Sequence, residues 1–259
     1  MAGNGFLNEI YKIPAVTRFL CGSSLAVSLP AMLKLVHPYV LVFVKDLVVK
    51  KFQIWRIWTS FFLGGGGINY IFELVMLYRN SNMLESEYFP GRSDDLAWQL
   101  LVACTAIIGL NLPLGSFVHN RPLTLCLTYL SSALAPPGAQ TSLFGLITLP
   151  VAYFPYALIA MDLLMGGPAA AAQSVTGAVV GHLWYMSIYG DDGRGIPAIR
   201  AYAKAPGFIR ALIGTGPRLA QMGSSGVHVQ APRQRAGDSA SAGRSTGYNW
   251  GGGNRLGSD

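Results

Sequence analysis

Charged residues are scarce in this chain. Asp, Glu, Lys and Arg make up 12% of the 259 residues and hydrophobic residues 51%, whereas about 25% of an ordinary soluble domain is charged. A water-soluble fold is therefore not expected. The net charge is +7, but nine of the nineteen Lys and Arg residues follow Gly190. A basic tail suits anionic lipid better than a groove for nucleic acid, so we expect no nucleic-acid partner.

The chain also lacks the residue patterns of metal sites and disulfide frameworks. Its three cysteines lie far apart in apolar stretches with no CxxC pair, and its four histidines form no HExxH motif. We therefore predict no metal, no cofactor and no disulfide. Residues 1–12 lack the basic start and apolar run of a secretory signal, so we expect no cleaved leader.

An uncharged stretch of 21 residues, Ala169–Tyr189, is present near the end of the apolar region. As a helix it measures about 31 Å, which matches a hydrocarbon layer of about 30 Å. Gly177 and Gly181 lie on one face of this helix, where their small size lets a neighbouring helix pack closely. His182 is an ionisable group at membrane depth, so it is either a functional residue or a side chain hydrogen-bonded to a neighbouring helix.

Five further segments are predicted to span the membrane. The fourth of them has only 12 residues, about 18 Å as a helix, so it either extends into its flanks or is walled in by other helices. Glu73 and Asp162 lie inside predicted spans, where a carboxyl group must be protonated or paired. Residues 1–190 are thus predicted to form an all-α bundle of six transmembrane helices. The five segments are Thr17–Val36, Phe61–Tyr78, Leu96–Leu114, Leu123–Leu134 and Thr141–Leu164.

The first loop carries two Trp residues around an arginine. Trp55, Arg56 and Trp58 follow an apolar segment, Val40–Val49, that is too short to cross a bilayer. Such a cluster is typical of an interfacial anchor. A partly embedded element that positions the bundle or meets a substrate is the alternative interpretation.

The composition changes after Gly190. Residues 191–213 mix apolar and basic side chains and predict a membrane-proximal amphipathic segment. Residues 214–259 are poor in large apolar residues and predict a disordered tail. Six spans place both termini on one side, and the basic tail predicts that this side is the cytosol. The end of the tail combines an aromatic residue and a leucine with glycines, which suits binding along a partner's sheet edge. The residues are Trp250, Gly251, Gly253, Arg255, Leu256 and Gly257.

Several fragments in the same order along the chain resemble one family. They are Ile13–Arg18, Phe52–Arg56, Leu77–Arg79, Leu84–Glu85, Gly91–Arg92, Gly177–Leu183 and Asn249–Gly257. Together they resemble the Derlins, which are rhomboid-like pseudoproteases of the endoplasmic reticulum membrane. Active rhomboids carry a nucleophilic Ser in a GxSG motif at the start of span four and a His before the glycines of span six. This chain has Arg121–Leu125 and Ser174 at those positions, so the resemblance implies a protein that is not an enzyme.

The resemblance also implies a function and partners. The chain is expected to be a multi-pass protein of the endoplasmic reticulum membrane that perturbs the bilayer and helps misfolded clients to reach the cytosol for degradation. Expected partners are a membrane ubiquitin ligase complex, a second copy of the chain, and the hexameric AAA unfoldase valosin-containing protein, which binds the tail motif.

Two other functions remain open from the residues alone. An intramembrane serine protease with a non-standard dyad would use Ser142 or Ser131 as the nucleophile and His182 as the base. A small-solute transporter would more naturally show repeated halves, and Met1–Gly115 does not resemble the remainder.

Overall fold

The structure is a computed structural model that describes residues 11–143, 147–190 and 195–213. Internal contacts divide the chain into two units, Met1–Ser224 and Ser225–Asp259. The second unit, and with it the predicted tail motif, lies outside the described residues. All of the described residues belong to the first unit.

Helix α1 spans Ala15–Met32. It begins directly after Pro14, whose fixed φ suits a helix entrance. The first loop then forms three short helices, α2 (Pro38–Leu41), α3 (Lys45–Lys51) and α4 (Trp55–Phe62). The apolar segment predicted to be too short to cross is thus divided between α2 and α3.

The second long helix, α5, spans Ile68–Met83 and continues into one π-helical turn, Leu84–Tyr88. The predicted span Phe61–Tyr78 was wrong at both ends. Four consecutive glycines separate α4 from α5, and Gly67 has a φ of 67°, a conformation that favours glycine. The helix continues past Tyr78 because the polar residues Asn80 and Ser81 are buried against the bundle instead of ending it.

Helices α6 (Ser93–Asn111) and α7 (Asn120–Leu134) follow. Asp94 and Asp95 in the first turn of α6 favour a helix start, because the amino end of a helix carries partial positive charge. Helix α7 begins three residues before the predicted Leu123, and Pro122 in its first turn has no amide hydrogen to leave unpaired. Eleven of its fifteen residues are buried. The fourth segment is therefore longer than predicted and is also surrounded by other parts of the bundle.

A two-stranded hairpin contradicts the predicted fifth span, Thr141–Leu164, and the strictly all-α fold. Strand β1 (Gln140–Leu143) pairs antiparallel with β2 (Ile147–Pro150), and Thr141 lies opposite Leu149. After a 3₁₀ turn, Val151–Tyr153, helix α8 spans Phe154–Ile188. Its true start is set by Pro155, which is favourable in the first turn of a helix. Helix α8 is broken at Gly167, which has a φ of 75° and precedes Pro168.

Two short helices, α9 (Pro197–Tyr202) and α10 (Gly207–Ile213), end the described chain. Three helical stretches within the described ranges are long and apolar enough to cross a membrane: Ala15–Met32, Ser93–Asn111 and Val151–Ile188. Large apolar side chains face outward on α1, α5, α6 and α8, as a helical bundle in lipid requires. Examples are Phe19, Leu29, Val75, Val102, Val179 and Leu183. The chain is a predominantly helical membrane protein.

Candidate functional site

Three charged side chains from three helices meet inside the bundle. Arg121, in the first turn of α7, donates a hydrogen bond to Asp162 on α8, and its Nε lies 3.9 Å from Oε1 of Glu73 on α5. Asp162 also accepts a hydrogen bond from Ser174, on the far side of the break in α8. We call Glu73, Arg121 and Asp162 the charged triad. Sequence analysis had identified the two acids separately but had missed Arg121 and the meeting of all three.

The position of Glu73 depends on the glycine run before α5. Its Oε2 accepts hydrogen bonds from the amide of Gly65 at 3.1 Å and from Asn120 Nδ2 at 2.7 Å. A Cβ atom added at Gly64 would lie 3.1 Å from the same oxygen and would overlap the ring of Tyr70. The glycines therefore let the backbone fold back onto the carboxylate. With two carboxylates and one guanidinium, the triad carries one excess negative charge when both acids are ionised.

A cavity of about 210 Å³ lies beside the triad, between α5, α7 and α8. Its polar end consists of the triad with Asn69 and Thr124, and Thr124 Oγ1 has no hydrogen-bond partner among the described residues. The remaining wall is apolar and rich in methionine. It comprises Phe72, Met76, Leu125, Leu158, Met161 and Met165.

The predicted packing glycines lie where α8 crosses α7. A Cβ atom added at Gly177 would lie 2.7 Å from Pro122 Cα, and one added at Gly181 would lie 2.9 Å from the carbonyl oxygen of Cys126. Such separations are too short for real contacts, so both positions require glycine for this helix approach.

His182 contacts this same neighbouring helix. Its Nδ1 lies 2.8 Å from the hydroxyl of Tyr129, and the two rings meet edge to face. Ser131, one of the two nucleophiles considered for a protease, donates instead to the carbonyl of Thr128 at 3.0 Å and lies 3.4 Å from Asn80 Oδ1. The side chain of Ser142 lies outside the described part of the chain.

Arg56 holds the first loop together. It is 4% exposed, and its Nη1 donates to the carbonyls of Tyr39 at 2.6 Å and Val42 at 2.9 Å. Its Nε donates to Gln53 at 2.5 Å, and its guanidinium lies over the ring of Tyr39. Trp55, by contrast, is 52% exposed. The motif thus combines a buried clamp on α2 with an outward aromatic ring of the kind found at membrane interfaces.

A buried carboxylate caps the amino end of α1. Glu85, in the π-helical turn, is 2% exposed. It accepts hydrogen bonds from the amides of Val16 at 3.0 Å and Thr17 at 2.8 Å, and from the Thr17 hydroxyl at 2.9 Å. An anion here satisfies unpaired amides and the helix dipole together. Sequence analysis had missed this contact, although the two fragments that it joins had both been noted.

His119 lies in the turn before α7, outside the spans, and is buried against aromatic rings. Its Nδ1 lies 3.1 Å from Ser60 Oγ, and it packs against Phe43 and Phe61. Burial lowers the pKa of His119 to about 4, because the charged imidazolium loses hydration. This histidine is therefore neutral in the folded protein at neutral pH.

The two last helices are attached to the start of α6. The amide of Ala205 donates to Asp95 at 2.7 Å, Trp98 Nε1 donates to the Tyr202 carbonyl at 2.8 Å, and Arg210 pairs with Asp94 at 3.3 Å. Tyr202 itself points outward. Residues 195–213 are thus anchored by polar contacts at the end of the bundle where α6 begins.

Comparison with known proteins identifies the family. A model of the Der1-like family matches residues 13–201, most of the chain. The chain belongs to the Der1-like family. Maize Derlin-1.2 is 30% identical over 181 residues, which cover 68% of this chain and 73% of the relative. Arabidopsis thaliana Derlin-1 is 32% identical, covering 69% of this chain and 67% of the relative. Arabidopsis Derlin-2.1 is 27% identical over 82% of this chain and 89% of the relative.

The region matched by the Der1-like family contains the main polar sites of the bundle, but not the contacts that Tyr202, Ala205 and Arg210 make with α6. The charged triad, the Arg56 clamp, the Glu85 cap and the contact between α7 and α8 all lie within residues 13–201. The predicted tail motif follows this region. As a Der1-like protein, the chain is a multi-pass membrane protein whose family is generally linked to degradation from the endoplasmic reticulum.

Proposed function

We propose that this protein is a non-catalytic factor of the endoplasmic reticulum membrane that moves misfolded proteins towards the cytosol for degradation. In this proposal the bundle thins the bilayer locally, and a polar cavity open to that thin region receives the client. The tail recruits the AAA unfoldase valosin-containing protein, and a membrane ubiquitin ligase complex modifies the client.

The observation that carries the proposal is that two of the three helices around the cavity are short. Helix α7 has 15 residues and α8 has 13 residues before the break at Gly167, whereas the 16 residues of α5 are followed by 5 more in its π-helical turn. The two short helices correspond to about 22 and 20 Å, less than the ~30 Å of an undisturbed hydrocarbon layer. A bilayer that meets short helices becomes thinner to match them. The short helices surround the charged triad, so the barrier for polar chain segments is lowered where polar groups are available.

The contacts of the triad also support a six-span topology. Glu73 lies near the start of α5, Arg121 at the start of α7, and Asp162 just before the break in α8. These three positions can meet only if α5 and α7 begin on the side of the membrane where the first part of α8 ends. In our proposal α1, α5, α6, α7 and the two parts of α8 are the six spans. With both termini in the cytosol, the triad lies in the luminal half of the bundle.

The polar contacts of the bundle favour a role without peptide hydrolysis. A serine hydrolase needs a nucleophile and a base within hydrogen-bond reach of each other. Here His182 contacts a tyrosine, and Ser131 contacts Asn80 and a backbone carbonyl. No observation on the described residues favours a protease, and we propose none.

Two measurements test the proposal. First, the full chain in a lipid nanodisc should show a smaller distance between the two phosphate layers beside α7 and the first part of α8 than beside the 19-residue helix α6. A uniform thickness around the bundle would exclude the thinning step. Second, in cells that lack their own Derlins, the chain should shorten the half-life of a misfolded luminal protein in a translation-chase experiment. An unchanged half-life, with the chain correctly inserted, would exclude the function.

A further inference from the structure

The cavity between α5, α7 and α8 is lined by two acidic side chains, Glu73 and Asp162, and one basic side chain, Arg121. The only cation among its lining residues, Arg121, is already hydrogen-bonded to Asp162. Glu73 Oε2 is used by Gly65 and Asn120, but Glu73 Oε1 faces Arg121 only at 3.9 Å. One carboxylate oxygen thus retains most of its accepting capacity beside the cavity.

A second, independent observation points to a ligand. Thr124 lines the polar end of the cavity and is 9% exposed, and its hydroxyl has no hydrogen-bond partner among the described residues. A buried polar group without a partner costs about 1–3 kcal/mol, so such groups are rare unless a ligand or water completes them. Thr124 and Glu73 line the same cavity, so the site that would hold a donor group contains a polar side chain that still lacks a partner.

The apolar wall indicates the rest of the occupant. Met76, Met161 and Met165 line it, and Met165 is 69% exposed on the outer surface. Methionine side chains are flexible and polarizable, and surfaces rich in them bind apolar partners of varied sequence. The wall therefore suits apolar chain segments that differ from one client to the next.

We propose that this cavity binds the Lys or Arg side chain of an apolar membrane segment of a client protein, with Glu73 as its main counter-charge. The proposal rests on the proposed function, for which it names a class of client. A phospholipid with an ammonium headgroup shares the same cation but carries a phosphate beside it. When both acids are ionised the triad has an excess negative charge, so a polypeptide cation without an adjoining anion fits better.

The test uses the full chain in vesicles together with fluorescent transmembrane peptides. The peptides differ at one position, about 8 Å from their luminal end, because Glu73 lies at about that depth from the start of α5. The peptides carry Lys, Gln, Glu or Leu at that position. Energy transfer to a label on the chain measures binding. We expect the Lys peptide to bind about tenfold more tightly than the Gln or Leu peptide, and the Glu peptide to bind most weakly.

Variants of the chain test whether the cavity causes the preference for the Lys peptide. Glu73→Gln keeps the shape of the side chain and should remove the preference for Lys. Glu87→Gln removes an equal charge from an exposed position and should keep it. Met76→Lys places an ammonium group in the cavity and should also abolish the preference, which provides a second variant if Glu73→Gln does not fold. Equal binding of all four peptides by the unmodified chain, or equal effects of Glu73→Gln and Glu87→Gln, would overturn the proposal.

Two further outcomes separate the alternatives. Loss of the Lys preference in vesicles rich in phosphatidylethanolamine, compared with phosphatidylcholine alone, would assign the cavity to a lipid ammonium group and overturn the client proposal. If the chain supports degradation of the luminal client but shows no preference for Lys, this inference fails and the proposed function stands. If degradation is not supported at all, the proposed function itself fails.

Discussion

Two buried charges among the described residues, Arg56 and Glu85, are matched by backbone groups and not by opposite charges. Arg56 is matched by two carbonyls, and Glu85 by two amides and a hydroxyl. Each arrangement joins segments that are distant in sequence, because a buried ion must find partners wherever the fold offers them. Single polar residues therefore fix the register of α1 against the turn after α5, and of α2 against α4.

Replacing the capping carboxylate should show how much this register depends on it. Glu85→Gln keeps the size of the side chain but replaces one accepting oxygen with an NH₂ group. This donor then faces another donor, either the amide of Val16 or the amide and hydroxyl of Thr17. We expect a loss of about 1–3 kcal/mol, measured as a fall of several degrees in the thermal unfolding midpoint in detergent. Glu87→Gln, two residues along and exposed, is the matched control and should have little effect. Equal effects of the two changes would mean that the Glu85 cap does not contribute.

The buried histidine predicts a pH dependence of stability. The pKa of His119 is about 4 in the fold, below the ~6.5 of an unfolded chain. Below pH ~6.5 the unfolded state therefore binds a proton that the folded state does not. Stability should fall by about 1.4 kcal/mol per pH unit between these two values and be fully present above them. His119→Gln should flatten this part of the unfolding profile, whereas His37→Gln, at an exposed position, should not. A profile that is unchanged by His119→Gln would contradict the assignment.

Among the helices, the sequence predicted those with continuous apolar runs and missed those defined by contacts between segments. Ala169–Tyr189 matches the second part of α8 within a few residues, because length and lack of charge are local properties. The predicted fifth span, Thr141–Leu164, wrongly includes most of the hairpin, because Thr, Leu and Ile residues suit both structures and strand pairing depends on contacts beyond the local sequence. Likewise, Glu73 and Asp162 lie inside predicted spans, but Arg121 precedes the predicted span Leu123–Leu134 and belongs to the bundle only because α7 begins at Asn120.

The contact between α7 and α8 gives a prediction with an internal control. Gly177→Ala would place a methyl group against the backbone of Pro122, so the helices must separate, at a cost of about 1–3 kcal/mol. Gly22→Ala, on an exposed face of α1 with no atom within 4 Å of the added carbon, should be neutral or stabilise by about 0.5–1 kcal/mol. Thermal unfolding in detergent measures both. Similar effects at the two positions would mean that Gly177 is not required for packing.

At the scale of the whole molecule, the proposed function requires two activities in one chain. In that proposal the bundle offers a polar cavity among short helices and lowers the barrier for a client without driving its movement. Passage through a thinned bilayer is reversible, so directed transport needs an ATP-driven partner or covalent modification of the client on the cytosolic side. The tail motif, Trp250–Gly257, is the proposed point of contact with that partner.

The tail prediction separates specific recruitment from attraction by charge. Within the motif, Trp250 and Leu256 provide apolar area for pockets, the glycines allow close approach of the main chain, and Arg255 can pair with an acidic rim. A peptide of residues 247–259 should bind the amino-terminal domain of the unfoldase, and Trp250→Ala and Leu256→Ala should each weaken binding by about tenfold or more. Ser258→Ala, outside the motif, is the matched control and should bind like the original peptide. Calorimetric titrations at two salt concentrations give the affinities. If all four peptides bind equally and salt weakens them equally, charge alone is responsible and the tail does not recruit the motor through this motif.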